Sequence, residues 1–350
     1  MTINRLTIHH LRNITEADVQ FSPGINYISG KNGSGKSSLL EAIYMLGRGR
    51  SFRTTRFGPV VQHGERSLTL FANTHTDREH RIGIQKSGSQ TEIKVDGQRI
   101  NQVSTIAKLT PLQILTPLSH EILERGPEYR RRFIEWGVFH VEHAYYETYK
   151  KFYKALRQRN HLLRSKPSTV GSWNRIVGSS GESLNSLREI YFKHLNEQFQ
   201  KELGFLQIGA SIAMTWKRGW DDGISLVEAL QQKESSDIRQ GFTQNGPQRA
   251  DIKLAYDGRS AFTSISRGQQ KMIISALHLA QAAITEHLTG IYPILLLDDL
   301  VSELDDANRR ILMNRIAGLG CQAFITATDA PLSATNEDTH HIKIDGGRIL

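Results

Sequence analysis

Eight consecutive residues, Gly30-Lys31-Asn32-Gly33-Ser34-Gly35-Lys36-Ser37, fit the pattern G-x-x-x-x-G-K-[ST]. In such a loop the backbone N–H groups cradle phosphates, the lysine reaches the outer phosphates and the serine ligates Mg²⁺. The adjoining Ser38 extends the candidate phosphate-binding set. Far downstream, Pro293-Ile294-Leu295-Leu296-Leu297-Asp298-Asp299 is an apolar run that ends in two carboxylates, as a buried strand does when it delivers a metal-holding aspartate to a sheet edge. Asp298 would hold the metal together with Ser37. Asp299, pointing elsewhere, would orient or deprotonate an attacking water, with Lys36 the second candidate catalytic group. Taken singly, the first stretch also reads as a flexible turn and the two acids as caps of the next turn.

The flanking residues place both stretches on elements. Ile25, Tyr27 and Ile28 precede the loop as a buried strand would, and Leu39, Leu40, Ile43 and Leu46 follow at helical spacing, so phosphates would meet a helix N-terminus. Alternating runs at 67–75, 80–86 and 91–95, with Asp96-Gly97 as a turn, predict an antiparallel side sheet. Residues 112–115 can return to the main sheet. From Pro117 to about Gly204 the pattern is helical, aromatic and basic. After Ser264 a long helix, the strand 294–297, a helix near 307–316, the strand 323–326 and a terminal hairpin complete the nucleotide-site pattern. The expected organisation is a head half at 1–116, an arm lobe at 117–204 and a return to the head at 205–350.

The 350 residues carry a net charge of +9, which favours polyanionic partners without choosing among DNA, RNA and anionic lipid. The single cysteine, Cys321, excludes an internal disulfide framework and is expected to fill space in a strand. No run approaches 18 apolar residues, and the N-terminus lacks the apolar core of a signal peptide, so the expectation is a cytoplasmic protein with no membrane partner.

Lys36 and Asp298 lie 262 residues apart, so a substantial insertion divides the two halves of one site. Ser302-Glu303-Leu304-Asp305 resembles the D-loop of ABC-type ATPases, and Ser266-Arg267-Gly268-Gln269, opening a helix, resembles their S-x-G-Q signature. Alone, Ser266 with Gln269 reads as a helix cap. With Leu11-Arg12-Asn13, the order and spacing are similar to the SMC-like branch, and most closely to the RecF family of bacterial recombination mediators. Ser51-Phe52-Arg53, the run from Gly126 to Phe133 and the run from Gly246 to Asp251 share that resemblance, which spans residues 3 to 330. Departures occur at Leu118, Glu135 and Gln248. Thr326 and Thr328 are the nearest polar residues to where many ABC ATPases end a strand in His, which leaves a γ-phosphate sensor unassigned.

The resemblance implies an α/β fold: an ABC-type P-loop ATPase head, a mixed sheet with an antiparallel side sheet, plus a helical arm lobe. It implies ATP and Mg²⁺ as cofactors, nucleotide contacts from Arg12, Ser266, Gly268 and Gln269, and a Q-loop role beside the metal for Gln113, which as a lone glutamine near a strand end reads equally as structural. It further implies an ATP-dependent homodimer, RecR and RecO as partners, recombinase loading at gapped or junction DNA, and a link to SOS induction.

Between residues 121 and 170, eleven Lys/Arg face six Asp/Glu. Lys150, Lys154, Arg157, His161 and Arg164 fall at spacings of three or four on one helical face, while Tyr149, Phe152, Leu156 and Leu163 form a separate apolar stripe. Such a basic stripe tracks DNA phosphates without reading sequence, or is simply a solvated face. The run Arg130–Arg132 fits DNA, a partner protein or the carboxylates of its own lobe. The function expected is an ATP-dependent DNA-binding protein of recombinational repair and replication restart, with weak DNA-stimulated hydrolysis as a switch. The alternatives are an ATP-switched structural or clamp subunit with negligible hydrolysis, and a transporter ATPase subunit.

Overall fold

A computed structural model describes residues 1–209, 211–260, 265–299, 304–328 and 339–350; Ser302 and Glu303 of the expected D-loop therefore lie outside the described residues. The chain divides into two compact units, Met1–Ser119, Glu202–Ile208 and Arg267–Leu350 in the first, His120–Lys201 and Gly209–Ser266 in the second.

The first unit begins with β1 (Thr2–Leu11), β2 (Ile14–Gln20), β3 (Ile25–Ser29) and α1 (Lys36–Arg48). It continues through β4 (Ser67–His75), β5 (Glu79–Ser87), β6 (Gln90–Val95), β7 (Gln98–Ile100), α2 (Val103–Leu109) and β8 (Leu112–Leu115). Leu68, Leu70 and Ala72 are buried and alternate with less buried neighbours, as in a sheet with one face on a core. β1 and β2 join these side strands, so the antiparallel sheet has the order β2-β1-β4-β5-β6-β7.

The second unit comprises the helical run α3 (Glu121–Glu124), α4 (Pro127–Val141), α5 (Tyr145–Ser165) and most of α6 (Gly171–Phe205). It also holds β9 (Ile212–Lys217), α7 (Leu226–Gln232), α8 (Glu234–Gln240), β10 (Asp251–Tyr256) and β11 (Arg259–Ser260). This corrects the expected return to the head at residue 205. β9 pairs with β10 along its whole length in a three-stranded sheet of its own, so residues 209–266 stay with the arm and the head resumes at Arg267.

The remainder supplies α9 (Arg267–Thr289), β12 (Ile294–Leu297), α10 (Asp306–Ala317), β13 (Ala323–Ala327), β14 (His340–Asp345) and β15 (Arg348–Ile349). The main sheet has the order β15-β14-β3-β13-β12-β8, parallel from β14 to β8 with β15 antiparallel at one edge. Every residue of β12 and β13 is buried, as expected for parallel strands covered on both faces. One continuous core joins both six-stranded sheets through Leu39, Leu40, Ile43 and Leu46 of α1. Cys321 lies just before β13, and burial pushes its thiol up to about 12. Among the described residues, no helix is long and apolar enough to cross a membrane.

Buried charge holds the second unit together. Arg159 and Asp237 are both fully buried; Arg159 Nη1 donates to Asp237 Oδ2 at 2.8 Å and to Thr243 Oγ1 at 2.7 Å, and its Nε donates to Asn174 Oδ1 at 2.9 Å. Arg130 donates through Nε and Nη2 to Asp251 at 2.7 and 3.1 Å, and Arg131 donates to the Ala250 carbonyl at 2.8 Å. All three arginines at 130–132 thus bond residues of their own lobe, Arg130 and Arg131 at buried or half-buried places and Arg132 at an exposed one. Removing one partner leaves a buried charge uncompensated, so Asp237→Ala should cost about 3–5 kcal/mol in urea unfolding, and Arg159→Met with Asp237→Leu should recover much of it. Arg132→Ala, which removes an exposed pair with Glu128 and a contact with the Tyr129 ring, should cost about 1 kcal/mol or less.

In the first unit, His278 on α9 donates through Nδ1 to Gln113 Oε1 at 3.0 Å, and burial pushes its imidazole down from 6.5 to about 4. The unfolded chain therefore takes up a proton that the native state refuses. The associated stability is complete above pH 6.5 and is lost as pH falls towards 4. In unfolding measured across that window, His278→Gln should show a shallower acid decline than wild type; equal slopes would refute this reading.

Candidate functional site

β3 and β12 end at the same edge of the parallel sheet, where such folds place their ligands. β13 stands between them, with Thr326 opposite Ile28 of β3 and Ile325 opposite Leu297 of β12. The loop from Gly30 leans across that strand into α1. Ser37 Oγ donates to Asp298 Oδ1 at 2.8 Å. Thr326, fully buried, donates to the same oxygen at 3.0 Å and accepts the Asp299 backbone N–H at 2.8 Å. Asp299 takes φ 50°, a left-handed value, at the point where the chain leaves β12.

A cavity of about 600 Å³ opens at this edge. Asn32, Gly33, Gly35, Lys36, Ser37 and Ser38 line one side, Arg12, Asn13 and Asp299 border it, and Arg53, Gly58, Pro59, Val61 and His63 complete it. Lys36 is 4% exposed, and its Nζ donates to the carbonyls of Gly30 at 2.8 Å and Lys31 at 3.2 Å, so the ammonium is held within the curve of the loop. Ser34 Oγ is buried with no hydrogen-bond partner among the described residues. An added Cβ on Gly30 would lie 2.2 Å from the Ile344 carbonyl oxygen, so only glycine fits there.

These features fit a polyphosphate with a hard divalent cation. Ser37 and Asp298 offer adjacent oxygen donors, the type that Mg²⁺ takes. Burial pushes the Asp298 carboxyl up, and its hydrogen bonds from Ser37 and Thr326 work against that shift.

The other expected site residues fall in several places. Arg12 borders the cavity, but its guanidinium is held in a two-pronged bond to the fully buried Glu41, both contacts at 2.8 Å. Gln113, expected beside the metal, is buried on β8 against His278; the contact the structure gives it is with α9. Ser266 and Gln269 are exposed and Gly268 half-buried at the start of α9, and none of the three belongs to the cavity lining. Lys31 is exposed at the loop. Lys150, Lys154, Arg157 and Arg164 are all exposed along α5, with Phe152, Leu156 and Leu163 buried on its other side. Lys150 pairs with Glu147 at 3.0 Å, and Arg164 donates to the Gly241 carbonyl at 3.3 Å. Thr326 lies behind the acids rather than facing the cavity, and Thr328 is exposed.

His63 is a cavity residue that motif reasoning did not single out, and Asn13 and Arg53, which stand inside motifs of the resemblance, were given no role at the site. Asn13 donates to the Gly33 carbonyl at 3.2 Å and accepts from Ser38 Oγ at 3.0 Å. Its position beside Arg12 was the available signal. The contact itself depends on where the β1–β2 turn lands.

The RecF/RecN/SMC N terminal domain family matches residues 2–348. A DNA replication and repair protein RecF from Chromohalobacter salexigens is 37% identical over 359 residues, covering 100% of this chain and 99% of that one. Its counterpart from Shewanella baltica (strain OS185) is 38% identical over 333 residues, covering 94% and 92%. Among solved structures, the recombination mediator protein RecF-ATP in the RecFOR pathway superposes with a TM-score of 0.86 at 26% identity, covering 99% and 96%. The Smc head domain from Pyrococcus furiosus, solved with an extended coiled coil and the C-terminal domain of ScpA, gives 0.61 at 14% over 99% and 94%, a likeness of fold alone. The antiparallel sheet, the mixed main sheet and the loop between β3 and α1 are those of an ABC-type ATPase head, and with full-length identity to these relatives the chain belongs to the RecF family of the RecF/RecN/SMC group.

Proposed function

We propose that this chain is an ATP-dependent DNA-binding protein of recombinational repair and replication restart, in which ATP closes a homodimer on DNA and slow hydrolysis releases it. The observation that carries the reading is the contact of Ser37 with Asp298 beside a cavity that also presents Lys36 and Asp299. The names of its relatives, DNA replication and repair proteins and a RecF–ATP structure, support the same reading. Ser37 and Asp298 would hold Mg²⁺, which when bound would neutralise charge on the phosphates. Lys36 would turn from the loop carbonyls to the outer phosphates. Asp299 would orient the attacking water. RecR and RecO as partners, and recombinase loading at gapped or junction DNA, belong to this proposal.

One chain carries one phosphate loop and one exposed Ser266–Gln269 segment, so two chains related by a two-fold axis would complete two sites. In sedimentation, ATP should convert wild type from monomer to dimer. Asp299→Asn should trap the dimer with little turnover, Lys36→Met should lose nucleotide binding, and Ser266→Arg should bind ATP yet stay monomeric. A wild-type monomer that ignores ATP would refute the scheme, and a dimer with no measurable turnover would favour the clamp reading.

The exposed α5 stripe is the proposed DNA contact. Each phosphate-bound cation releases counterions, so the log–log salt slope of DNA binding should fall by roughly 1 for each of Lys150, Lys154, Arg157 and Arg164 changed to Ala. An unchanged slope in the quadruple variant would place the DNA surface elsewhere.

A further inference from the structure

The phosphate loop is gripped from outside by the end of the chain. β14 pairs in parallel with β3, Ile342 opposite Ile28 and Lys343 opposite Ser29, and so leaves the sheet alongside the loop. It turns back through Gly346-Gly347 into β15. On the way the Ile344 carbonyl fills the space beside Gly30, and the Gly347 N–H donates to the Ser34 carbonyl at 2.7 Å.

The same glycine is pressed from its other side. A Cβ on Gly347 would lie 2.0 Å from the Asn13 carbonyl oxygen and 2.8 Å from its carbon, at a φ of +81° that side chains rarely adopt. Asn13 then reaches the loop through Gly33 and Ser38. Two turns distant in sequence, β14–β15 and β1–β2, thus meet on the phosphate loop and on each other.

The consequence follows from peptide geometry. In a trans peptide the C=O and N–H point in opposite directions. Holding the Ser34 carbonyl on Gly347 therefore aims the Gly35 N–H the other way, and Gly35 lines the cavity. We propose that Gly347 and Asn13 are positioning residues, which lock the Ser34–Gly35 peptide in the orientation that receives the phosphate next beyond the one on the nucleoside. The proposal rests on the nucleotide reading of the site.

The test compares ADP and AMP binding by calorimetry in wild type, Gly347→Ala, Gly346→Ala and Asn13→Ala. Gly346 also has a left-handed φ, +52°, yet nothing lies within 4 Å of a Cβ added there, so its variant shares the backbone strain without the clash. Gly347→Ala should lose ADP affinity by on the order of tenfold to a hundredfold, as displaced reacting groups do, while AMP binding changes little. Gly346→Ala should keep the wild-type ratio of ADP to AMP affinity. Asn13→Ala should repeat the selective ADP loss, and it decides the question if Gly347→Ala does not fold. Equal ADP loss in both glycine variants, or an unchanged ratio in Gly347→Ala and Asn13→Ala, overturns the proposal while wild-type binding keeps the nucleotide reading. Failure of wild type to bind ADP overturns both.

Discussion

The chemistry proposed for the first unit depends on a hydroxyl and a carboxylate 261 residues apart meeting at 2.8 Å, Ser37 on Asp298. Strand order sets the difficulty of that meeting. β13 lies between β3 and β12, and two strand spacings come to roughly 10 Å, so the loop has to cross the end of β13 to reach the acid. The residue at that crossing must be small, and it must satisfy the polar groups gathered there. Thr326 does both: its hydroxyl donates to the Asp298 carboxylate and accepts the Asp299 N–H. A valine at 326 would preserve the shape, leave the Asp299 N–H without its partner in a buried place, and leave the Asp298 carboxylate with Ser37 alone. The hydroxyl thus ties together two neighbouring acids.

Much of this was legible beforehand because short-range rules dominate it. The loop, its strand and its helix are contiguous, and their apolar spacing survives folding unchanged as Leu39, Leu40, Ile43 and Leu46 enter the core. Asp96-Gly97 closes the hairpin it signals, and the runs at 294–297 and 323–327 are buried strands. What periodicity does not carry is which strands become neighbours. The alternation of Leu6 and Ile8 marks a strand without saying that it pairs with β4. The run around 212–217 is likewise a strand, and nothing local tells it to pair with β10 rather than join the head. Gln113 shows the same limit at one residue: its place at a strand end was readable, its partner His278 on a helix 165 residues away was not.

Charge in the arm separates into two populations that composition alone merges. Arg130, Arg159 and Arg188 are buried against Asp251, Asp237 and Glu135, where their worth lies in satisfying one another inside the lobe. Burial pushes the Glu135 carboxyl up, and the Arg188 charge beside it works against that shift. The exposed stripe on α5, with exposed Arg125, Arg132, Lys151 and Lys166, is what remains to act at long range. A count of basic residues therefore overstates the positive surface of this segment, and the helical spacing of Lys150, Lys154, Arg157 and Arg164 is the better guide to it.

The position of β3 has a consequence for how the protein is made. Both of its neighbours, β13 and β14, come from residues 323–345, whereas β3 itself is finished by residue 29. As a chain emerges from the ribosome, the antiparallel sheet and the arm have all their strands to hand long before β3 has any partner. Until then the strand beneath the phosphate loop presents two unpaired edges rich in apolar side chains, the feature that folded proteins otherwise take care to hide. The strand that leads into the phosphate loop is the first of the main sheet to be made, and it waits for residues 323–345 to be enclosed. Until residues 323–345 are made, the chain would accordingly hold all the strands of its arm and side sheet beside an unfinished main sheet.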